Sequence, residues 1–257
     1  MNNLNNSKNL ENSKNLELTL RSGLKKLELT LTQNQIQKLL AYLNLLIKWN
    51  KTYNLTAITD PQKMLTHHVL DSLSVIKYLE NKNPENKLIK IIDIGTGAGI
   101  PGLILAIACS EKYSDSCPDK FFSLLDSNGK KTRFLTQVIY ELELKNCEVL
   151  NLRAEEAGEN LKYKNQFNII ISRAFSSLVA MSLACQNLLI KSADIPTDIP
   201  TDIISPNFFL AMKGKTLETD LEIAELKKLK NTNIKNIEKI LIQVPGIQEE
   251  RCLVKFS

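Results

Sequence analysis

Apolar positions change their spacing near residue 87, after the polar stretch ENKNPENK (80–87). Before it the spacing is helical. Leu16, Leu20, Leu24 and Leu27 fall on one face, and Ile36, Leu39, Leu40, Leu43, Leu46 and Ile47 recur every three or four residues to about Trp49. Such a stripe is the core face of a helix. Thr32-Gln33-Asn34-Gln35 reads as a capping box, with Thr32 accepting from the third backbone amide and Gln35 reaching back. Asp60-Pro61 predicts a second start, an N-cap followed by proline in the first turn. That helix would carry Met64, Leu65, Leu73, Ile76 and Leu79, and the loop KTYNLTAI (51–58) would precede it.

After residue 87 short apolar runs alternate with helical segments. Strands are predicted at 89–94, 121–126, 147–152, 167–172, 207–212, 238–244 and 251–256. Helices are predicted near 102–112, 128–144, 154–161, 176–190 and 217–230. The alternation predicts an α/β fold built of right-handed βαβ units on a parallel sheet. Only PGIQEE (245–250) separates the last two strands, so the sheet should end in an antiparallel pair. The expected organisation is a disordered tail over 1–12, a helical extension over 13–86 and an α/β domain over 87–257. The repeats SKNLE and LELTL near the N-terminus are too short and too few for a solenoid. DIPTDIPTDI (194–203) places proline every four residues, which forbids a helix and suggests a surface insertion.

Composition narrows the class. Hydrophobic residues make up 43% of 257, enough for a sizeable core, and no apolar run approaches the roughly 20 residues of a membrane span. The polar, Asn-rich start carries no apolar segment with a cleavage site, so a cytoplasmic location is expected. Five cysteines without C-x-x-C spacing, and two adjacent histidines, His67 and His68, argue against a zinc site or a disulfide framework. A net charge of +5 suits a protein that meets nucleic acid over one face, and suits many others.

The candidate chemistry starts at IIDIGTGAGIPG (91–102), four glycines directly after an apolar run. A nicotinamide dinucleotide would use Gly97, Gly99 and Gly102, which fit G-x-G-x-x-G. S-adenosylmethionine would use Asp93, Gly95, Gly97 and Gly99. Either ligand explains Asp126, which ends the second strand where a carboxylate can take two ribose hydroxyls. Three features favour the methyl donor. The third strand ends in NLRAEEAG, where Glu155 beside the small Ala154 suits an adenine edge. The terminal β-β pair departs from a dinucleotide fold, and no later segment offers an obvious hydride-transfer site.

At this point the chain resembles a family, the bacterial small-subunit ribosomal RNA guanine-N7 methyltransferases, also called glucose-inhibited division protein B. The matching segments are KWNKTYNLTAITDPQKMLTHHVLDSL (48–73), IIDIGTGAGIPG (91–102), LLDSNGKKTRFL (124–135), LRAEE (152–156), ISRAFSSL (171–178), LAMKG (210–214) and VPGIQEERCLVKF (244–256). The resemblance implies a class I S-adenosylmethionine-dependent methyltransferase fold. Its Rossmann-like sheet has seven strands in the order 3-2-1-4-5-7-6, with a small helical extension in front. It also implies that S-adenosylmethionine is the cofactor and that a guanine of 16S ribosomal RNA in the small subunit is methylated at N7. The implied cofactor residues are Gly95, Gly97, Gly99, Ile100, Asp126, Ala154, Glu155 and Arg173. Two segments, DIPTDIPTDI and CSEKYSDSCPDK (109–120), are longer than the family pattern, and His67 stands where a basic residue such as arginine is expected.

The residues fit that chemistry. A sulfonium methyl is already electrophilic and guanine N7 carries an exposed lone pair and no proton, so no general base is expected and positioning should dominate. The fourth strand ends in ISRAF, without the Asn/Asp-Pro-Pro-aromatic motif of exocyclic amine methylation. No Pro-Cys stands near a strand end, as carbon-5 methylation would need. Arg173, just past the fourth strand, is expected in the cofactor and substrate site; the alternative is a surface pair with Glu155 or Glu156. Lys130, Lys131, Arg133 and Lys213 are expected to form a basic rim for RNA phosphates, with a solvated helix face as the alternative. Tyr53 reads as a packing residue before a base-stacking one, and a His68–Asp71 hydrogen bond would be structural. A monomer is expected, without metal or membrane. Two other functions stay open: an NAD-dependent oxidoreductase, against which LRAEE and ISRAF argue, and a non-catalytic RNA-binding protein, against which the glycine loop, Asp126 and Glu155 argue.

Overall fold

The computed structural model describes residues 2–79, 88–111, 120–173, 175–191, 207–214, 216–229, 234 and 236–257. The insertion at 194–203, the expected domain boundary at 86–87 and most of 109–120 lie outside them. Among the described residues no helix is long and apolar enough to cross a membrane.

Seven strands form one sheet: β1 (Ile89–Ile94), β2 (Lys120–Leu125), β3 (Cys147–Leu150), β4 (Ile169–Ser172), β5 (Phe208–Lys213), β6 (Ile237–Ile242) and β7 (Arg251–Phe256). Their order is β3-β2-β1-β4-β5-β7-β6, as the resemblance implies. β3, β2, β1, β4 and β5 run parallel. β7 is antiparallel to β5 and to β6, so PGIQEE closes a hairpin. Ile94 is in register with Leu125, and Leu125 with Leu150, so the carboxyl ends of β1, β2 and β3 stand level.

The helices are α1 (Asn2–Lys26), α2 (Gln33–Tyr53), α3 (Pro61–Met64), α4 (Asp71–Leu73), α5 (Gly102–Ala108), α6 (Gly129–Glu141), α7 (Ala154–Glu159), α8 (Leu178–Cys185) and α9 (Thr216–Lys228). α1 begins at Asn2, where composition predicts a tail over 1–12. Leu16, Leu20 and Leu24 are buried and fix the helix register, and propagation upstream adds one backbone bond per residue. α2 has the expected capping box at Thr32 and ends on Asn54 in the left-handed conformation. The helix expected from Asp60 is broken. Asp60 caps α3, but residues Leu65–Leu70 form a π-helix between α3 and α4, and Ile76–Leu79 is a 3₁₀ turn. α8 stops at Cys185, short of the expected 190, because the chain then pairs with the segment before β4: Gln166 N–H donates to Leu188 O and Ile190 N–H to Phe167 O.

One core lies on each face of the sheet. α7, α8 and α9 cover one face through Ala157, Leu178, Met181, Cys185 and Leu226. α5 and α6 cover the other, and the extension packs over them in the same continuous core. Every residue of α5 is therefore buried. Gln35 and Tyr42 sit on the buried face of α2 among leucines, and each reaches a carbonyl of the α/β part: Gln35 Nε2 donates to Ala108 O at 2.7 Å, and Tyr42 Oη to Ala98 O at 3.0 Å. Cys147, Cys185 and Cys252 are buried free thiols, and burial pushes Cys147 and Cys185 up to about 12.

Candidate active site

The candidate residues line up along the carboxyl ends of β3, β2, β1 and β4, the edge where open α/β sheets bind ligands. Four adjacent strands span about 14 Å at the usual spacing, which suits an extended ligand lying across them.

The glycine loop follows β1. Gly95, Gly97 and Gly99 hold φ of +68°, +60° and +90°, a region that favours glycine. The surroundings divide the four glycines into two kinds. A Cβ on Gly95 would meet nothing within 4 Å, and one on Gly97 would meet only Gly95 O at 3.9 Å and Lys131 Nζ at 4.0 Å. A Cβ on Gly99 would lie 2.5 Å from Leu103 Cβ, and one on Gly102 would lie 2.7 Å from Asp93. Gly99 and Gly102 are thus required by the protein's own packing, whereas Gly95 and Gly97 leave bare backbone facing open space. Ile100 N–H donates to Thr96 O, which tightens the turn.

Asp93 holds this loop. Its Oδ2 accepts from Thr96 Oγ1 at 2.6 Å and from Gly102 N–H at 2.7 Å. Burial pushes its carboxyl up to about 7, with those two bonds pulling it down. Asp126, just past β2, is fixed beside the loop: Oδ2 accepts from Gly97 N–H at 2.9 Å and Oδ1 from Asn128 N–H at 2.8 Å. Each carboxylate oxygen has two lone pairs, so both retain acceptor capacity. After β3, Ala154 is buried at the start of α7 and Glu155 is exposed beside it.

Arg173 pairs with neither Glu155 nor Glu156. Its Nη1 donates to His67 O at 2.7 Å and lies 3.3 Å from Asp71 Oδ2 and 3.5 Å from His68 Nδ1. The π-helix of the extension is therefore a wall of the site, docked on the residue that follows β4. π-helical turns are frequent at functional sites. Arg251, which opens β7, approaches the same carboxylate with Nε 3.6 Å from Asp71 Oδ1. His68 and Asp71 do not bond each other as expected; His68 Nε2 meets Thr56 Oγ1 at 2.8 Å. Burial, aided by Arg173, pushes His68 down to about 4, so it is neutral at pH 7.

The expected basic rim is divided. Lys130 and Arg133 are exposed on α6. Lys131 leans over the glycine loop, its Nζ 3.6 Å from Asp126 Oδ2. Lys213 is turned inward: its Nζ lies 2.7 Å from Glu222 Oε2, whose other duty is to accept from Leu178 N–H. Its strand-end position suggested an open cation, but its ammonium is committed to α9. Tyr53 is exposed, and its ring meets Trp49 at a tilt with centroids 5.2 Å apart, while Trp49 meets Phe134 of α6, also tilted, at 5.6 Å. Tyr53 therefore packs against Trp49, as expected.

Sequence reasoning missed Tyr42 and Arg251, the second task of Gln35 on Ala108 O, and Asp71 as the partner of Arg173. Tyr42 shares the helical stripe of Leu39 and Leu46 and reads as a core aromatic. Its hydroxyl partner lies 56 residues away.

Comparisons with known proteins agree with this geometry. A family model described as rRNA small subunit methyltransferase G matches residues 35–244. The chain is 39% identical over 239 residues to a ribosomal RNA small subunit methyltransferase G of Marinomonas sp. (strain MWYL1), covering 93% of this chain and 96% of that one. It is 40% identical over 236 residues to the protein of that name from Ectopseudomonas mendocina, covering 91% and 92%. Among solved structures, a SAM dependent methyltransferase from Aquifex aeolicus superposes with a TM-score of 0.51 at 16% identity, over 79% of this chain and 96% of that one. A human methyltransferase 10 domain containing protein gives 0.52 at 14% identity, over 84% and 95%. These two likenesses concern the fold.

Proposed function

The chain belongs to the rRNA small subunit methyltransferase G family, and on that premise we propose that it transfers a methyl group from S-adenosylmethionine to N7 of a guanine in 16S ribosomal RNA. The observation that carries the cofactor half is the contrast among the glycines. A Cβ on Gly95 would meet nothing within 4 Å and one on Gly97 only Gly95 O and the tip of Lys131, at 3.9 and 4.0 Å, and the Asp126 carboxylate stands beside them. That cradle fits a nucleoside whose ribose hydroxyls donate to Asp126. The antiparallel β5–β7–β6 ending is the feature that speaks against a nicotinamide dinucleotide.

In this reading Gly95, Gly97, Gly99 and Ile100 form the turn over which the donor lies. Asp126 takes the ribose, Ala154 and Glu155 face the adenine, and Arg173 borders the reacting end. The bound donor supplies an electrophilic sulfonium methyl. The protein then has to hold guanine N7 in line with that methyl and keep water out, since no proton has to be removed. Asp93 is no general base here: Oδ2 is held by Thr96 and Gly102, and the whole carboxyl is buried beneath the loop. His68 is buried between Thr56 and Arg173 and supports the wall. Lys130 and Arg133 remain the exposed cations for RNA phosphates; Lys131 serves the cofactor loop. The same reading takes residues 13–86 as the helical extension and 87–257 as the catalytic domain, acting as a cytoplasmic monomer without a metal.

The test uses small subunits from cells lacking the protein, incubated with the chain and labelled methyl donor. N7-methylguanine is cationic and its glycosidic bond labile, so reduction and aniline treatment should break the RNA at one labelled site. Label confined to exocyclic amines or to protein would overturn the assignment.

A further inference from the structure

The half of the carboxyl edge formed by β4, β5 and β7 carries two arginines on one buried acid. Arg173 follows β4. β7 runs antiparallel to β5, pairing Cys252 with Lys213, so Arg251 stands at the same edge. Asp71 lies between them, its side chain 3% exposed against 27% for Arg173 and 21% for Arg251. Two guanidiniums on one carboxylate leave a positive charge. Arg173 anchors itself through Nη1, and Arg251 through Nε and through Nη1 to Glu250 O. A guanidinium has five N–H donors in a planar fork, which matches a phosphate, so both keep donors for a ligand. Gly214 leaves room beside them: a Cβ there would meet only Arg251 Nη1, at 3.9 Å. Glu249 is near enough to feel Arg251, but it is fully exposed and screened by solvent.

We propose that Arg173 and Arg251, set together on Asp71, clamp a backbone phosphate of the substrate RNA next to the target nucleotide. This rests on the RNA methyltransferase reading above. The other anion at hand is the carboxylate of the methyl donor. Strand order favours the phosphate: β7 is three strands from β1, about 14 Å, while the glycine loop and Asp126 belong to β1 and β2. Arg173 stands between the two halves, and Arg251 belongs to the RNA side alone. Asp71 is the positioning residue that aligns them.

The experiment compares the full chain with Arg251→Gln and Arg251→Lys. Binding to unmodified small-subunit ribosomal RNA is measured by fluorescence anisotropy over a salt series, and binding of S-adenosylhomocysteine by calorimetry. For Arg251→Gln we expect RNA affinity to fall and the slope of log K against log[salt] to shrink by about 0.7–0.9, the value of one phosphate contact. S-adenosylhomocysteine affinity should stay unchanged. Arg251→Lys keeps the charge on Asp71 and loses the fork, so it should keep the slope and lose part of the affinity. It also carries the test should the glutamine variant fail to fold. Wild-type RNA affinity in folded Arg251→Lys, or weakened S-adenosylhomocysteine binding with an unchanged salt slope, would overturn the clamp. A wild-type chain that does not bind the RNA would instead count against the function proposed above.

Discussion

Gly97→Ala and Gly99→Ala should separate ligand space from packing space within one loop. Both residues lie at positive φ, +60° and +90°. Placing an L-residue there costs about 1–2 kcal/mol. Part of that is offset by the stiffer unfolded chain, about 0.4–1 kcal/mol. At Gly97 little else is added, because the new methyl would meet nothing closer than 3.9 Å. At Gly99 the methyl would lie 2.5 Å from Leu103 Cβ and 3.1 Å from Leu135 Cδ2, and both leucines are fully buried. Overpacking of that kind adds about 1–3 kcal/mol. Denaturant titration should therefore find Gly97→Ala destabilised by about 1 kcal/mol and Gly99→Ala by about 2–4 kcal/mol. Calorimetry with S-adenosylhomocysteine should give the opposite ranking of directness. Gly97→Ala should lose affinity while fully folded, because its methyl stands where the ligand must approach the backbone. A folded Gly97→Ala variant that binds as tightly as the wild type would refute the assignment of the open glycines to the ligand.

Asp126→Ala should weaken S-adenosylhomocysteine binding by about 1–3 kcal/mol, the usual cost of losing a charged hydrogen-bond partner; a mutant that still discriminates the deoxyribose analogue would give Asp126 another task, such as holding Gly97 N–H alone. Folding stability should respond to pH through opposed buried groups. The Asp93 carboxyl is pushed by burial from 3.8 up to about 7, so its contribution is present below about 4 and is lost as pH rises to 7. Burial and Arg173 push His68 from 6.5 down to about 4, so its contribution is present above 6.5 and is lost as pH falls to 4. The two slopes oppose each other between about 4 and 6.5. Asp71, also pushed up by burial, opposes His68 in any variant that keeps it. Asp93→Asn should therefore make the unfolding free energy from urea titrations climb more steeply between pH 4.5 and 6.5 than in the wild type, by up to roughly 1.4 kcal/mol per unit. A pH profile identical to the wild type's would remove Asp93 from the account.

Strand positions, the antiparallel ending and the glycine loop were legible because they rest on local pattern: alternation of apolar runs, two last strands without a helix between them, and glycines directly after a strand; the strand order came with the family resemblance. The division of labour among those glycines was not legible. It depends on whether Leu103 or open space lies above each one, and on Asp93, which closes against Gly102 from the strand before it. Lys213 misled for a related reason. Its place at a strand end marks the ligand edge, but the charge that decides its role, Glu222, comes from α9. The broken helix at Leu65–Leu70 escaped because a π-helix leaves the apolar spacing nearly helical, and its partners Arg173 and Arg251 are more than a hundred residues downstream.

Those distant partners change what the extension is. Side chains of the extension tie it to the α/β part. Gln35 of α2 donates to Ala108 O at the end of α5. Tyr42 of α2 holds the carbonyl of Ala98 inside the glycine loop. Asp71 gathers Arg173 and Arg251, and Gly246 of the β6–β7 hairpin packs on Thr66. Residues proposed to face the cofactor and residues proposed to face RNA are thus braced by the same helices. Tyr42 is buried, and losing its hydroxyl would leave the Ala98 carbonyl without its partner inside the proposed donor loop. Arg173 links the π-helix to the strand end beside that loop. An RNA that presses on the extension would therefore act directly on the wall of the proposed methyl-transfer site, through side chains in contact, which makes the segment at 48–73 part of the proposed reaction chamber.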